Sequence, residues 1–586
     1  MLAGDGNAGL YRSTDGGSTW QPANAGRSTS TGLIDNVVRT VWYVPGSPSV
    51  ALVCGGTGIY RSTDGGQNWT NTKAPTGCGQ FAFAYDQVTK TIYATSSAGV
   101  LVSTDRGSTW TVSLAGGANE VASVSGTTLA ELSDNKLYKL VTGTTWQALS
   151  TLPASSTNYC QLAIKPTNPS IIYAALAGGY NCNLYVSSDG GVNFTLINHV
   201  GLGTQAVVFS SYNPDRLYVA GDGSAGWTNA DGGTSPKYTG VSMGVDTREI
   251  RVELNAAGSD DRCYVGSDQG LFVLDPCSTS SSLVGLTPKL YTGWITGFAV
   301  SSDGKSIIAM IQDYSAYASN DAGLTWHGLP PGEDGSAAFG PTDPLRCYGV
   351  NGGLYVSTDG CATSGNMKRT VSYGSPTYQG SVVAFDPVTP TTLYTVQGQS
   401  GGKAAIFVST DGGTTFTATN WAFTNPYLMV IDPKNRLHMI VGDGTTVSVS
   451  FDGGLTWAAA TGLATASFYS VALHPSDNKT VVAAVNLSGA EVIYRSADGG
   501  KSFSKITSVA ASGFNTLAFN TAGSPPYLAM TTSGSGAWLS KDLGTTWERL
   551  DTQLVAHKYT AAQWLDGVLY LSTYGQSILK SSAPLQ

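Results

Sequence analysis

One short motif, Ser-x-Asp-x-Gly-x-Thr-Trp, recurs along the chain and constrains the fold more than any other feature. The clear copies centre on Asp15, Asp64, Asp105, Asp189, Asp321, Asp411, Asp452, Asp498 and Asp542. Asp231 and Asp359 keep the turn and lose the aromatic residue, and degenerate copies end at Trp146, surround Asp275 and lie at the C-terminus. Together they indicate fourteen units at a period of roughly 44 residues, a length typical of propellers and solenoids.

Each unit has the pattern of four short strands joined by tight turns. An apolar strand precedes an Asp-Pro or Asn-Pro type turn, and a Tyr/Val/Ala strand follows. A Gly-rich turn then leads to Gly-Leu-Tyr-x-Ser and the motif. The composition, with 73 Gly, 29 Tyr and 13 Trp and only 12% charged residues, suits an all-β protein. The sequence lacks the sustained 3.6-residue apolar periodicity that indicates amphipathic helices.

The motif resembles the Asp-box, or BNR, repeat of sialidases, sortilin-type receptors and the xyloglucan-active enzymes of glycoside hydrolase family 74 (GH74). Its aspartate can accept hydrogen bonds from backbone N–H groups of its own turn. Its glycines tolerate positive φ, and its Trp or Phe can pack between blades. We therefore expect Asp15 and its equivalents to be structural.

Fourteen units exceed the range of about four to eight blades usual for one propeller. Two rings of seven fit, and the GH74 resemblance implies two seven-bladed β-propellers enclosing a cleft. We expect the first propeller to occupy residues 1–290 and the second 291–586, with the Ser/Thr/Leu-rich stretch between Cys277 and Trp294 as linker. The first unit lacks its innermost strand and the last its outermost, so terminal strands are expected to complete a ring by exchange.

Charge and cysteine content limit the partners and the compartment. The net charge of -8 argues against nucleic acid, and no apolar run reaches the roughly 18 residues of a membrane helix. The eight cysteines form four local pairs, 54/78, 160/182, 263/277 and 347/361, which favour disulfides and secretion. The alternative is eight buried thiols in the cytosol. We expect a monomer, and an N-terminal segment cleaved or left out before the first repeat.

Candidate catalytic groups are expected at the turns between the second and third strands, on the face opposite the boxes. Binding sites of propellers usually occupy that face, by analogy with the fold. Most units carry Gly, Ser or Thr at this turn. Carboxylates stand there at Asp5, Asp222, Asp268, Asp313 and Asp443.

Asp5 in unit one and Asp313 in unit eight occupy equivalent blades of the two rings. The GH74 resemblance implies one catalytic aspartate in each propeller, with Asp313 as general acid and Asp5 as general base of an inverting hydrolysis. The local motifs depart from that family: Asp5 lacks the preceding Arg-Thr and has an extra residue before Tyr11. Asp313 lacks the Gly-Phe and His. The alternative for each residue is a turn aspartate that caps its own backbone.

Aromatic residues outside the boxes are candidates for stacking on sugar rings. We select Trp294 and Tyr314, which lie near Asp313, then Trp227 near Asp222, and Trp42. The alternative is that these side chains belong to the packing between blades. The five histidines lack metal-ligand spacing, so no metal or other cofactor is expected.

Two main functions remain open. The first is a secreted glycoside hydrolase that cleaves a β-glucan or xyloglucan-type polysaccharide through Asp5 and Asp313. The second is a non-catalytic extracellular propeller that binds carbohydrate or protein, as a lectin, an adhesin or a sortilin-like receptor does.

Overall fold

A computed structural model gives the fold of the chain. It describes all residues except 6–8, 29–34, 36, 80, 154–160, 177–182, 198–203, 222–223, 230–238, 243–246, 269, 280–283, 287–292, 313, 331, 333–334, 352, 373–382, 400–402, 424–425, 444–445, 464–466, 488–489, 509–512, 521–525, 552–557, 576 and 586. The described part is all-β, and its single helix is the 3-10 turn Ser364–Asn366.

The chain clusters into two compact units, Met1–Thr292 and Gly293–Gln586. The described strands of the first unit form seven antiparallel sheets. In chain order these are sheet one, β1 Leu2–Asp5, β2 Gly9–Arg12 and β3 Gln21–Pro22; sheet two, β4 Val38–Tyr43, β5 Ala51–Gly55, β6 Gly58–Ser62 and β7 Thr70–Asn71; sheet three, β8 Phe83–Asp86, β9 Thr91–Ser96, β10 Gly99–Ser103 and β11 Thr111–Ala115; sheet four, β12 Ala118–Val124, β13 Thr127–Leu132, β14 Lys136–Thr142 and β15 Thr145–Thr151; sheet five, β16 Leu162–Ile164, β17 Ile172–Leu176, β18 Asn183–Ser187 and β19 Thr195–Leu196; sheet six, β20 Thr204–Phe209, β21 Arg216–Gly221, β22 Ser224–Asn229 and β23 Thr239–Ser242; and sheet seven, β24 Thr247–Leu254, β25 Asp261–Ser267, β26 Gly270–Leu274 and β27 Val284–Gly285.

The second unit also contains seven antiparallel sheets among its described residues. These are sheet eight, β28 Ile295–Val300, β29 Ile307–Ile311, β30 Ala316–Ser319 and β31 His327–Leu329; sheet nine, β32 Ser336–Phe339, β33 Cys347–Val350, β34 Gly353–Ser357 and β35 Lys368–Ser372; sheet ten, β36 Val383–Phe385, β37 Leu393–Gln399, β38 Lys403–Ser409 and β39 Thr417–Ala418; sheet eleven, β40 Pro426–Asp432, β41 Asn435–Asp443, β42 Thr446–Ser450 and β43 Ala458–Ala459; sheet twelve, β44 Ser467–Leu473, β45 Val481–Leu487, β46 Ala490–Ser496 and β47 Ser504–Ser508; sheet thirteen, β48 Phe514–Phe519, β49 Leu528–Thr532, β50 Ala537–Ser540 and β51 Glu548–Arg549; and sheet fourteen, β52 Tyr559–Leu565, β53 Val568–Thr573 and β54 Ile578–Lys580.

The hydrophobic core lies between neighbouring sheets. Several second strands, such as β5 and β29, are buried along their whole length, because both faces of each sheet pack against another sheet. One cluster, for example, joins Leu52 and Ile59 of sheet two to Ile92 and Leu101 of sheet three. Repetition of this contact explains why the strands have apolar residues on both faces.

Hydrogen bonds join the first and last sheets within each unit. In the first unit, the indole N–H of Trp20 donates to the carbonyl of Leu286 at 2.8 Å. In the second, the side-chain amide of Gln563 pairs with both backbone groups of Val300, at 2.8 and 2.9 Å. Each unit is therefore a ring, and the fold is a tandem pair of seven-bladed β-propellers.

The boundary between the units differs in detail from the sequence analysis. The structure divides the chain after Thr292, whereas the motif spacing placed the division after residue 290. The expected linker was wrong in part, because Val284–Gly285 pairs with Phe272 and Val273 as the outermost strand of sheet seven. The first and last sheets have three described strands each, and the exchange of terminal strands stays a prediction.

Three of the four predicted disulfides are confirmed: Cys54–Cys78, Cys263–Cys277 and Cys347–Cys361. The fourth pair, Cys160 and Cys182, lies outside the described residues. In the described part of the chain, no helix is both long and apolar enough to span a membrane.

Candidate functional site

In the repeated box turns, the aspartate carboxylate accepts hydrogen bonds from residues of its own turn. Asp15 Oδ1 accepts the backbone N–H of Thr19 at 2.9 Å and the hydroxyl of Ser13 at 2.8 Å. Asp15 Oδ2 accepts the Thr19 hydroxyl at 2.6 Å. These bonds, those from Thr19 above all, lower the pKa of Asp15 to about 2. Asp15 is thus an acceptor that fixes its turn, and it has no proton to donate at neutral pH.

Nine further turns repeat this arrangement. Each carboxylate accepts hydrogen bonds from the serine two residues before it and from groups that follow it, and each pKa is lowered. The residues are Asp64, Asp105, Asp189, Asp321, Asp359, Asp411, Asp452, Asp498 and Asp542. The structural role expected for the box carboxylates agrees with this geometry.

The opposite ends of the sheets carry the candidate catalytic residues. Asp5 is the last residue of β1, where its backbone pairs with Gly9 across the turn, and its side chain is outside the described part of the structure. Asp313 and Asp222 also lie outside the described residues. Their roles therefore stay predictions, and the surroundings of these positions carry the description of the site.

Trp294 stands immediately before β28, at the end of sheet eight where the turn containing position 313 also lies. Its carbonyl accepts the backbone N–H of Gln312 at 2.9 Å, which ties it to that turn. The indole is 38% exposed, and it stacks on Tyr574 with ring centroids 4.6 Å apart and an interplanar angle of 20°. A half-exposed, rigidly held aromatic ring is suited to stacking against a flat ligand face.

Tyr574 supports the Trp294 indole from the turn that follows β53 in sheet fourteen. Its backbone N–H donates to the carbonyl of Lys558 at 3.2 Å, and the Lys558 ammonium lies 5.9 Å from the centre of its ring. Burial raises the pKa of the Tyr574 hydroxyl. The tyrosine therefore supports the indole by stacking on it.

Tyr314 lies next to position 313 and closes the other side of this turn. Its N–H donates to the carbonyl of Ile311 at 3.3 Å, and its ring meets Tyr317 edge to face at 6.1 Å. The ring also covers Gly293, where an added Cβ would lie 3.2 Å from Tyr314 and 2.4 Å from Ile311. Gly293 thus allows Trp294 and Tyr314 to approach the same strand end.

The other two selected tryptophans lie in the first unit. Trp42 is in β4, where its ring stacks on Phe83 at 5.9 Å and packs against the core between sheets two and three. This is the packing alternative left open by the sequence, so Trp42 is not carried into the proposed site. Trp227 is in β22 opposite Tyr218, and its side chain is outside the described part of the structure.

A further carboxylate at these strand ends is already paired. Arg248 donates from Nε and Nη2 to the two carboxylate oxygens of Asp268, both at 2.8 Å. Such a bidentate pair fixes the orientation of the carboxylate and uses both of its oxygens. In the described part of the chain, no group of three or more His, Cys, Asp or Glu side chains is placed to hold a metal ion.

Sequence reasoning missed Tyr574 and Lys558. Trp294 and Tyr314 were selected because they are close in sequence to Asp313, but Tyr574 is at the far end of the second unit. Ring closure places sheet fourteen beside sheet eight, as the bridge between Trp294 and Tyr574 shows. Closure of the second ring could have indicated Tyr574, because it brings the second-to-third-strand turn of sheet fourteen next to that of sheet eight.

The family model described as Sortilin, neurotensin receptor 3, matches residues 445–580. A search of curated proteins found no significant match. The crystal structure of an ancestral GH74 enzyme aligns with 100% of this chain and 96% of its own, with a TM-score of 0.66 and 16% identity.

Two further GH74 structures align with lower scores. The GH74 xyloglucanase from Xanthomonas campestris aligns over 99% of this chain and 96% of its own, at 15% identity and a TM-score of 0.42. The GH74 enzyme from Niastella koreensis aligns over 100% and 80%, at 19% identity and a TM-score of 0.30. The assignment rests on the alignment with the ancestral enzyme. The resemblance predicted from the repeats is confirmed at the level of the fold, and the chain is a tandem β-propeller of the kind found in a GH74 enzyme.

Proposed function

We propose that this protein is a secreted glycoside hydrolase that cleaves a β-glucan of the xyloglucan type. The observation that carries the proposal is the Trp294 indole, half exposed and stacked on Tyr574 beside the turn that contains position 313. The fold of a GH74 enzyme and the disulfides support it. A flat aromatic face of this kind binds the apolar face of a sugar ring while the polar groups around it remain hydrated.

In the proposed reaction, Asp313 is the general acid and Asp5 the general base. Asp313 in its protonated form gives its proton to the glycosidic oxygen of the leaving sugar as the bond to the anomeric carbon breaks. Asp5 as a carboxylate removes a proton from the water that attacks this carbon from the opposite face. Inverting enzymes place the two carboxyl groups about 6.5–9.5 Å apart, which leaves room for that water.

Trp294 and Tyr314 would hold sugar units next to the acid. Stacking fixes the plane of a sugar ring, and a ring fixed in position brings the scissile oxygen within reach of one carboxylic acid. Tyr574 acts through Trp294, because it supports the indole from behind. Trp227 stays a candidate subsite by its position near Asp222 in the sequence.

A second candidate is a non-catalytic propeller that binds glycan or protein in the extracellular space. The match of residues 445–580 to the sortilin model favours it, as do the departures around Asp5 and Asp313 from the GH74 motifs. This alternative uses the same aromatic surface and needs neither aspartate.

The two functions are separated by incubating the protein with xyloglucan, mixed-linkage β-glucan, cellulose oligosaccharides and mannan. Release of reducing ends tests whether the protein hydrolyses the glycan. Proton NMR of the newly formed anomeric centre tests whether the configuration is inverted. We expect hydrolysis of at least one β-glucan and inversion at the anomeric carbon. Binding of a glycan without any hydrolysis would establish the second candidate, and retention of configuration would rule out the proposed mechanism.

A further inference from the structure

Arg27, in the connection between sheets one and two, has the largest fully buried side chain described, with 1% of its surface exposed. Burial lowers the pKa of its guanidinium, and the nearby carboxylate of Asp35, itself 2% exposed, opposes this effect. Removing an arginine from water is costly unless its N–H groups are used. Its bonding partners therefore indicate what the residue holds in place.

The two terminal nitrogens of Arg27 bind groups next to sheet one and next to sheet two. Nη1 donates to Asn24 Oδ1 at 2.7 Å, and Nη2 donates to the carbonyl of Val37 at 2.6 Å. The guanidinium also lies 5.6 Å from the centre of the Tyr60 ring. One side chain thus connects the end of strand β3 with the beginning of strand β4.

Asn24, the first partner of Arg27, binds strand β2, which pairs with the end of β1. Asn24 Oδ1 accepts the backbone N–H of Leu10 at 2.9 Å, and Asn24 Nδ2 donates to the carbonyl of Leu10 at 3.1 Å. The amide therefore satisfies both backbone groups of a fully buried residue. Leu10 pairs with Gly4, the residue immediately before Asp5.

The bond from Arg27 to Val37 also leads to Gly4, through the next residue, Val38. Val38 follows Val37 and packs directly on Gly4: a Cβ built there would lie 2.1 Å from Val38 Cγ1. Gly4 therefore pairs with Leu10 along the strand and contacts Val38 with its Cα side, although it stays exposed to solvent. Arg27 binds Asn24, the side-chain partner of Leu10, and Val37, the residue before Val38. No other residue type at Gly4 fits this contact without movement of Val38.

Asp35 anchors the connection itself to sheet two. Its carboxylate accepts the N–H groups of Gly56 at 3.2 Å and Thr57 at 3.0 Å, and the Thr57 hydroxyl at 2.8 Å. These residues form the second-to-third-strand turn of sheet two. The connection that carries Arg27 is therefore fixed at the same end of the sheets as Asp5.

From this geometry we propose that Arg27, acting through Asn24 and Val37, is a positioning residue that holds the strand end bearing Asp5. The proposal rests on the proposed function, because Asp5 needs a fixed position only if it activates the attacking water. Because Arg27 is buried, its proposed effect on the reaction is indirect.

The first test measures amide exchange, which does not depend on activity. In Arg27→Gln, and in Asn24→Ala should the arginine variant not fold, we expect the Leu10 N–H to exchange at least about tenfold faster. Arg216→Gln is the matched control. Arg216 is also largely buried and binds Asp260 at 2.8 Å in the same unit. Unchanged Leu10 exchange in both test variants, or an equal rise in the control, would overturn the proposal.

The second test measures kinetics on a hydrolysed β-glucan. We expect Arg27→Gln to lower kcat at least tenfold with KM within about twofold, and Arg27→Lys to recover part of the loss because it can reach one of the two acceptors. Faster exchange with unchanged kcat would show that Arg27 has no bearing on catalysis. A wild-type protein without hydrolytic activity would refute the proposed function, and exchange alone would then decide whether Arg27 holds the strand.

Discussion

Two aspartates of sheet one show how position decides the role of a residue. Asp15 accepts bonds from its own turn and is held ionised. Asp5, at the opposite end of the same sheet, lies where the chain presents its candidate binding face. The two aspartates can be told apart from the sequence because Asp15 fits the fixed spacing of the box. Asp5 lies outside the box, so the box does not account for its presence.

The tryptophans can be separated experimentally in the same way. We predict that Trp294→Ala weakens glycan binding about tenfold. It should cost only about 1 kcal/mol of stability through the lost stack on Tyr574. Titration calorimetry and chemical denaturation measure the two effects.

Trp42→Ala is the matched comparison and should behave in the opposite way. Its ring packs with Phe83 in the core between two sheets, so we expect a loss of about 3 kcal/mol in stability and unchanged glycan affinity. Weaker glycan binding by Trp42→Ala, without the expected loss of stability, would show that Trp42 is a binding residue and not a core residue.

At the scale of the sheet, two box turns without an aromatic residue have a disulfide instead. Cys263–Cys277 and Cys347–Cys361 each join a second strand to the turn after the third strand, with the same sequence separation of 14. In regular units the box Trp packs at this turn, as Trp326 does through its bond to Gly323 at 3.1 Å. The disulfide therefore takes over a packing role that the degenerate box has lost.

We predict that the double variant Cys347→Ala/Cys361→Ala lowers the free energy of unfolding by about 3 kcal/mol, the value expected for closing a loop of this length. Urea denaturation followed by tryptophan fluorescence measures it. The reduced wild type should show at least the same loss. Equal stability of the variant and the oxidised wild type would mean that the turn is held by other contacts.

Neighbouring sheets are also linked by side chains that bind the box of the next sheet. His438 is 1% exposed; its Nδ1 is 2.9 Å from Asp432 Oδ2, and its Nε2 is 2.8 Å from the carbonyl of Gly499 in sheet twelve. Its ring stacks on Phe451 at 4.7 Å. Arg346 makes a similar bond to Gly412 at 2.8 Å.

We predict that His438→Ala destabilises the protein by about 2 kcal/mol, because Asp432 loses a buried partner and the link to sheet twelve is removed. Leu455→Ala, at a side chain 85% exposed in the box of the same sheet, is the control and should change stability by less than about 0.5 kcal/mol. Similar thermal midpoints for the two variants would contradict this account of the link.

For the whole molecule, the repeated box aspartates make the free energy of unfolding depend on pH in the acidic range. The lowered pKa values of the box aspartates mean that the unfolded chain binds protons before the folded chain does as pH falls. We therefore expect the stability contributed by the box aspartates to be fully present above about pH 5 and to decline between about pH 5 and pH 2. Asp452→Asn, at a carboxyl with a pKa of about 2, should reduce the proton uptake of unfolding by up to about one. A flat profile down to pH 2 would contradict it.

Much of the fold could be predicted from the sequence, and the site only in part. The box spacing led to the four-stranded sheets, and local cysteine spacing led to three disulfides, since both depend on contacts within one repeat. Tyr574 and the Asn24–Arg27 network could not be predicted, because they depend on which sheets meet when a ring closes and on how one connection folds. The linker was wrong in part, because the outermost strand of sheet seven has only two residues and these carry little sequence pattern of their own.

The most direct test of the central claim compares aspartates at the two ends of the same sheets. Hydrolysis of a β-glucan is measured for Asp5→Asn and Asp313→Asn, with Asp15→Asn and Asp321→Asn as box controls in sheets one and eight. We predict that kcat falls at least about 100-fold in the first pair and stays within about threefold in the second, with all four variants folded by circular dichroism. Wild-type rates in Asp5→Asn and Asp313→Asn would contradict the account.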